Sequence, residues 1–404
     1  MKKTTATQLD RRSFLQVTAL AGGGVIIGMY APALAQQGRG GAPGQSAWSL
    51  EPATYITVHP DNTFTILAKN PETGQGIRTA LPQIIADEFD VDWTQVKIQQ
   101  ADLNPKYGPQ FEGGSRAMPT NYDPMRQVGA AGRLMMVTAA AQMWNVPASE
   151  ITTGSGTVMH AKSKRKATYA SLSSRVAAMP APSADAVKAA YKDPKNFKII
   201  GKPIKGIDNA AIVTGKPSFS IDQEPAGTLF AVFEKCPVFG GKAMSANLDE
   251  VKRLPGVRHA FLVEPAGKGA NSLASGVAIV ADNWWLANNA RRTLKVTWDE
   301  GPVASQSTAG YTAQAKQLSA QASQPPSGDA RAVAAIGDAE GAFKNAAKVI
   351  EADYYFPLLS HAPLEPQNST AHYKTDGTLE IWSCSQIPAL QNPALGAGIA
   401  PDKV

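Results

Sequence analysis

The sequence predicts a multidomain chain of mixed class, α+β in its first part and α/β in its middle. Three observations carry that expectation. The chain has 404 residues, 43% hydrophobic and 18% charged, enough for two or three domains with cores of their own. Alternating apolar runs stand between runs of helical period from Lys198 to about Gly301, the pattern of a layered α/β unit. Stretches rich in Gly, Pro and Ser separate the blocks.

Asp10-Arg11-Arg12-Ser13-Phe14-Leu15-Gln16 stands ahead of an apolar run, Val17 to Tyr30, and Ala33-Leu34-Ala35 has the form of a cleavage site. This is the pattern of a twin-arginine (Tat) signal, which predicts export of a folded, cofactor-bearing protein to the periplasm. The run is short for a membrane anchor, and Gly22-Gly23-Gly24 weakens it as a helix. Cleavage after Ala35 leaves 369 residues with a net charge of +3. That small excess gives no support to nucleic-acid binding. Two cysteines, Cys236 and Cys384, cannot alone hold zinc or an iron–sulfur cluster, though a periplasmic disulfide between them is open. The five histidines lack metal-ligand spacing.

After a Gly-rich linker (36–50), Thr54–His59 and Thr63–Lys69 predict a hairpin around Pro60-Asp61-Asn62. A helix follows Gly74-Gln75-Gly76, with Leu81, Ile84, Ile85 and Phe89 on its apolar face. Pro82 is tolerated there if that helix begins near Arg78. Val96–Gln100 predicts a strand. Asp123-Pro124 predicts the start of a helix to about Trp144, with Gly129 and Gly132 marking a close approach of backbone or ligand. Ser183–Lys195 predicts a linker with a short helix. In the middle unit, strands are expected at Thr228–Glu234, Val257–Val263, Gly276–Ala281 and Leu294–Trp298, with helices at Leu248–Leu254 and Asn283–Arg292. A polar, partly helical connection leads to strands at Val349–Tyr355 and Leu379–Ser383.

Several residues could carry chemistry. Gly74-Gln75-Gly76 at a helix start offers bare amides and a positive helix end, which suits a phosphate; a plain turn has the same residues. Gly113-Gly114-Ser115 is a second such loop beside Arg116, and the two together suit opposite sides of one dinucleotide. Neither completes a Rossmann or P-loop pattern. Gln386 follows a strand end, where α/β folds place ligand-facing residues, although a surface role suits it equally. His361 and Glu365 suit acid–base work or the pinning of a loop. A nucleophile constellation for a hydrolase is missing from the sequence.

Together these pieces resemble the molybdopterin-binding subunit of the xanthine dehydrogenase family, in its exported isoquinoline 1-oxidoreductase beta subunit (aldehyde dehydrogenase) branch. The resemblance rests on residues 10–24 (DRRSFLQVTALAGGG), 74–98 (GQGIRTALPQIIADEFDVDWTQVKI), 113–133 (GGSRAMPTNYDPMRQVGAAGR), 199–222, 275–287 and 359–371 (LSHAPLEPQNSTA), in that order. It implies a signal at 1–35, a linker at 36–50 and a molybdopterin-binding segment at 51–195. An α/β hammerhead domain follows at 196–305, a connection at 306–345, and the start of the next molybdopterin-binding domain at 346–404.

The same resemblance implies molybdopterin cytosine dinucleotide as cofactor, held by Gly74, Gln75, Gly76, Gly113, Gly114 and Ser115. The family's E-M-G-Q-G reads Glu72-Thr73-Gly74-Gln75-Gly76 here. Gln386, from the family's W-x-x-T-Q with Ser385 for threonine, is placed near molybdenum. No metal ligand is implied on this chain. The activity implied is hydroxylation of aldehydes or N-heterocycles with water as oxygen source. Electrons pass to iron–sulfur clusters on a partner 2Fe–2S subunit, and from there a cytochrome c subunit is a further expected partner; the Tat translocase is the export partner. Family chains run to nearly twice this length, and the glutamate base and Gly-Gly-Phe-Gly loop match nothing here. The chain alone is therefore expected not to turn over. A non-catalytic secreted binding module is the alternative.

Overall fold

The computed structural model describes residues 25–27, 55–216, 219–264, 273–321, 336–388 and 398–404. Its class is mixed α/β, as the sequence predicts. The chain divides into two units: one holds the chain up to Gln223 together with Gln367 onward, the other Glu224–Pro366.

The first unit is built on a sheet in the order β1-β2-β3-β4, from β1 (Val25–Ile27), β2 (Ile56–Val58), β3 (Phe64–Ala68) and β4 (Val96–Gln100). β2 and β3 form the expected hairpin, with Ile56 opposite Ile66. Asn62 takes the left-handed turn position at φ 62°, and the Thr63 N–H and hydroxyl both donate to Asp61 Oδ1 (3.0 and 2.7 Å). β3 and β4 run parallel, Phe64 beside Val96 and Ala68 beside Gln100. Parallel neighbours need a crossover, here α1 (Ile77–Phe89). Both strands therefore deliver their carboxyl ends to the same edge. β1, inside the stretch expected to be the signal core, pairs antiparallel with β2; Arg11, Arg12 and the cleavage site lie outside the described residues.

Pro82 is the sixth residue of α1 rather than part of its first turn, so it removes the bond that an amide there would give Arg78. The buried residues Ile77, Leu81, Ile84, Ile85 and Phe89 hold the helix to the core regardless. α2 (Ala117–Trp144) begins six residues before the expected Asp123-Pro124 start, and Pro124 lies inside it. Gly129 and Gly132 face α1: a Cβ on Gly129 would lie 2.7 Å from Glu88 Cβ and 3.0 Å from Phe89 N, and one on Gly132 2.9 Å from the Phe89 ring. The bare patch thus serves close helix approach, the first of the two alternatives the sequence left open.

A three-stranded antiparallel sheet follows, β5 (Ile151–Gly154), β6 (Thr157–His160) and β7 (Arg165–Thr168). It leads into α3 (Tyr169–Ala177), capped by Thr168 accepting from the Ser171 N–H. Tyr169 is fully buried against Phe64 and Phe89, with ring centroids 6.2 and 4.9 Å away, and donates to Phe89 O (3.0 Å). Burial raises its phenol pKa well above the usual range.

The stretch expected to be a linker is bonded to the core instead. It carries α4 (Ala184–Ala189) and leads to α5 (Asn209–Val213). Asp87 Oδ2 accepts the N–H groups of Lys198, Ile199 and Ile200 (2.8–3.0 Å). Lys192 Nζ reaches Asp87 (3.1 Å) and Asp90 (2.9 Å). Glu88 accepts from Arg126 Nε (2.7 Å) and the Lys192 N–H (3.0 Å), with Arg133 at 3.5 Å. Residues 198–200, placed in the hammerhead by the resemblance, are thus fastened to α1.

In the second unit, β8 (Phe230–Lys235), β10 (Val257–Val263) and β11 (Gly276–Ala281) form an antiparallel sheet in the order β10-β11-β8. β9 (Lys242–Ala246) pairs with β12 (Val296–Asp299). α6 (Leu248–Lys252) and α7 (Trp284–Thr293) cover one face through Val251, Ala287 and Ala290 against Val232, Val277 and Ile279. Then come α8 (Thr308–Gln321) and α9 (Ala339–Asn345). The strand expected at Val349–Tyr355 is not formed: those residues are exposed and carry no regular structure, because apolar, β-branched composition makes a strand only beside a partner edge. The hairpin β13 (Ser369–Tyr373) and β14 (Leu379–Ser383) belongs to the first unit. Cys236 and Cys384 are free thiols.

Candidate functional site

The site grows from the carboxyl ends of β3 and β4, the edge at which open α/β sheets take ligands. Two loops leave that edge, 69–76 and 101–116. Buried polar side chains stitch them together. Gln100 Nε2 donates to Ala68 O and Asn70 O (both 3.0 Å). Gln110 Nε2 donates to Lys69 O (2.8 Å) and Asp102 O (2.9 Å). Lys69 Nζ donates to Pro109 O (2.6 Å). Asn70 Nδ2 donates to Phe111 O (2.9 Å) and to Glu112 Oε1 (3.1 Å).

Glu112 is the meeting point. Its carboxylate takes hydrogen bonds from Asn70 and from the Gln75 side chain. Its backbone N–H donates to Gln386 O (2.8 Å). Three segments predicted to converge, at Gln75, at the Gly113 loop and at Gln386 after β14, are thereby joined through one residue that sequence reasoning did not single out. Gln386 itself is exposed, as are Gln75, Gly114 and Ser115, while Glu112 is buried.

Each glycine has a distinct reason. Gly74 and Gly76 stand at φ +99° and +85°, and a Cβ on either would meet nothing within 4 Å. Backbone conformation requires them, and the space beside them is open. Gly113 lies under the Phe111 ring, which a Cβ would approach to 2.8 Å. Gly114 and Ser115 are both left-handed, φ 57° and 55°; for Ser115 that conformation costs on the order of 1 kcal/mol.

One expectation is corrected. The amides at the start of α1 are not bare. Glu72 Oε1 accepts from the N–H groups of Gly74 (2.8 Å) and Gly76 (2.9 Å), and Glu72 Oε2 accepts from the Arg78 N–H (2.9 Å). A carboxylate of this chain already fills the place foreseen for a phosphate. The sequence signal was present, an acid two residues ahead of Gly-Gln-Gly at a helix start. Gln75 is fixed in turn, accepting from the Thr73 N–H (2.7 Å) and donating to Pro71 O (3.0 Å). The other pair of candidates, His361 and Glu365, belongs to the second unit; His361 is exposed and Glu365 half-buried.

Charge is unusual here. Burial lowers the Lys69 ammonium pKa to about 8, with Glu112 opposing the shift. Burial raises the Glu112 carboxyl above the usual range against its bonds from Gln75 and Asn70, and Glu72 nearby adds to the rise. Below about pH 8 Lys69 is charged in both states and its burial costs stability. Between about 8 and 10.5 the unfolded chain holds a proton that the folded chain does not, so stability rises with pH. The excess stability of Lys69→Met over wild type is therefore expected to fall from pH 8 to pH 10 in denaturant titrations. A constant difference contradicts the assignment.

Asn70 Oδ1 and Gln100 Oε1 are buried with no hydrogen-bond partner, an unusual cost for acceptors. They suit the ring amino groups of a pterin or a cytosine. The polar lining and open glycine edge fit such a ring; the amides held by Glu72 do not fit its phosphates.

A molybdopterin cofactor-binding domain model matches residues 4–211, and a second molybdopterin cofactor-binding domain model matches residues 324–399. The chain belongs to the molybdopterin cofactor-binding domain family. Gln75 and Glu112 fall in the first molybdopterin-binding match and Gln386 in the second, so the Glu112–Gln386 bond joins the two matched stretches. Among relatives, the chain is 30% identical to the isoquinoline 1-oxidoreductase subunit beta of Brevundimonas diminuta, over 98% of this chain and 54% of that protein. It is 29% identical to the membrane-bound aldehyde dehydrogenase [pyrroloquinoline-quinone] of Gluconacetobacter polyoxogenes, over 97% and 49%. The chain thus spans about half the length of these relatives. Quinoline 2-oxidoreductase from Pseudomonas putida 86 is similar at TM-score 0.36 and 18% identity, over 50% of this chain and 29% of that one.

Proposed function

We propose that the edge where Gln75, Glu112 and Gln386 meet holds molybdopterin cytosine dinucleotide, and that the chain serves the molybdenum subunit of a periplasmic hydroxylase. The observation that carries this reading is the bond from the Glu112 N–H to Gln386 O, with Glu112 also bound to Gln75. Its substrates are aldehydes or N-heterocyclic aromatics, the classes in the names of the two relatives described. Export is by the Tat route, and the partners are an iron–sulfur subunit and a cytochrome c subunit.

When bound, the cofactor supplies the two-electron oxidation, with water as the oxygen source. This chain's residues grip and orient. Gly74 and Gly76 leave the backbone edge open to a ring, and Gly113, Gly114 and Ser115 bound the opposite side. Asn70 Oδ1 and Gln100 Oε1 accept from ring amino groups. Gln386 offers a neutral side chain beside the reacting centre, and Glu112 keeps it in register with Gln75. The general base implied by the resemblance matches no residue of these 404.

The test is composition. Purified from a host that makes the cofactor, the protein is expected to carry about one molybdenum per chain and to release a cytosine nucleotide on denaturation. A folded protein with neither overturns the reading and favours the secreted binding module. A quinone in place of molybdenum, as in the name of the Gluconacetobacter relative, overturns it as well.

A further inference from the structure

We infer that Glu72 is the positioning residue of the first glycine loop, serving as its built-in anion, so that the loop meets a neutral, hydrogen-bonding part of the ligand and not a phosphate. The inference rests on the proposed function only for the identity of that ligand. Glu72 uses both carboxylate oxygens on three alternate donors, the N–H groups of Gly74, Gly76 and Arg78. Gly76, the N-cap of α1, and Arg78 are among the groups at its start that lack partners within the helix, and Gly74 precedes them in the loop. Gly74 and Gly76 are both left-handed, which turns their amides inward to Glu72 and leaves their outer edge open. The loop then presents the side chain of Gln75, itself tied to Thr73, Pro71 and Glu112.

Charge points the same way. Glu72 and Glu112 are close enough to raise the carboxyl pKa of Glu112, and a phosphate placed beside Gln75 would meet both. Of the cations beside the loop, Lys69 is buried and donates to Pro109 O, and Arg78 is paired with Asp208 (2.7 Å). Beside the loop, Asn70 is buried with its Oδ1 lacking a partner, an acceptor for an N–H donor and not for an anion. Ring amino groups of the ligand fit this lining, and its phosphates belong elsewhere.

Hydrogen exchange of the purified full chain, followed on peptides covering residues 73–78, reads the inference directly. In the wild type these amides are expected to exchange slowly, and added inorganic pyrophosphate to leave the rate unchanged. Glu72→Ala is expected to speed exchange by about tenfold or more, and pyrophosphate to restore protection in that variant. Glu72→Gln, which keeps an acceptor oxygen without the charge, is expected to lose less. Pyrophosphate protecting the wild-type amides overturns the inference even if the alanine variant fails to fold. So does unchanged exchange in Glu72→Ala, or a pyrophosphate response that is the same in both proteins. Absence of molybdenum from the wild type would instead remove the proposed function and leave this result standing.

Discussion

Glu88→Ala is expected to lower the unfolding free energy of the first unit by about 3–5 kcal/mol, the usual consequence of removing one partner from a buried ion pair. Glu88 is fully buried near the end of α1. Its removal leaves Arg126 without its carboxylate at 2.7 Å, Arg133 without its partner at 3.5 Å and the Lys192 N–H without an acceptor. The Arg126 guanidinium keeps its bond to Lys192 O (2.9 Å) and its stacking on Tyr191, 4.3 Å from the ring centroid. A domain holds roughly 5–15 kcal/mol in all, so the loss is a large fraction of it. Glu88→Gln retains shape and hydrogen bonding and is expected to lose less than the alanine variant. Denaturant unfolding checks both; a loss under about 1 kcal/mol for Glu88→Ala contradicts the account.

Gly129→Val is expected to cost about 3 kcal/mol, at the upper end of overpacking effects. Two terms compete. Replacing glycine inside a helix gains up to about 1 kcal/mol when the new residue fits. Here the first added carbon would sit 2.7 Å from Glu88 Cβ and 3.0 Å from the Phe89 backbone nitrogen, and the backbone of α1 cannot rotate away. Steric cost exceeds propensity, so even Gly129→Ala is expected to be destabilised. Gly132→Ala meets the edge of the Phe89 ring, which can shift, and is expected to lose less. Thermal unfolding of the three variants gives the order, and a stabilised Gly129→Ala contradicts the packing.

Local periodicity made much of this fold legible. β10, β11 and β14 occur at the expected residues, because their alternation or continuous apolar run has a partner strand beside it. The bare patch at Gly129 and Gly132 announced a close approach, though not that α1 makes it. What periodicity lacks is long-range charge. Asp87 and Lys192 stand 105 residues apart, and nothing in spacing pairs them; with that bond unseen, Ser183–Lys195 resembles a linker. Prolines misled in the other direction. Asp123-Pro124 suggests a helix start, yet α2 begins at Ala117, and packing across a helix this long outweighs the one bond lost at Pro124. β9 was missed because Lys242–Ala246 shows no apolar alternation.

The candidate site divides the same way. Glycines at Gly74, Gly76, Gly113 and Gly114 are visible as a pattern, and Gln386 as a motif after a strand. Glu112, Asn70 and Lys69 are ordinary polar residues until folding buries them together. Glu72 lies in plain view in the motif, but what it does depends on left-handed turns at Gly74 and Gly76 that bring three amides to one carboxylate.

Anomalous diffraction at the molybdenum edge, from crystals of cofactor-loaded protein, puts the convergence at Glu112 to its most direct trial. The peak is expected beside Gln75, Glu112 and Gln386, on the Gln386 side. A molybdenum peak remote from all three, in a protein shown to be loaded, contradicts the account.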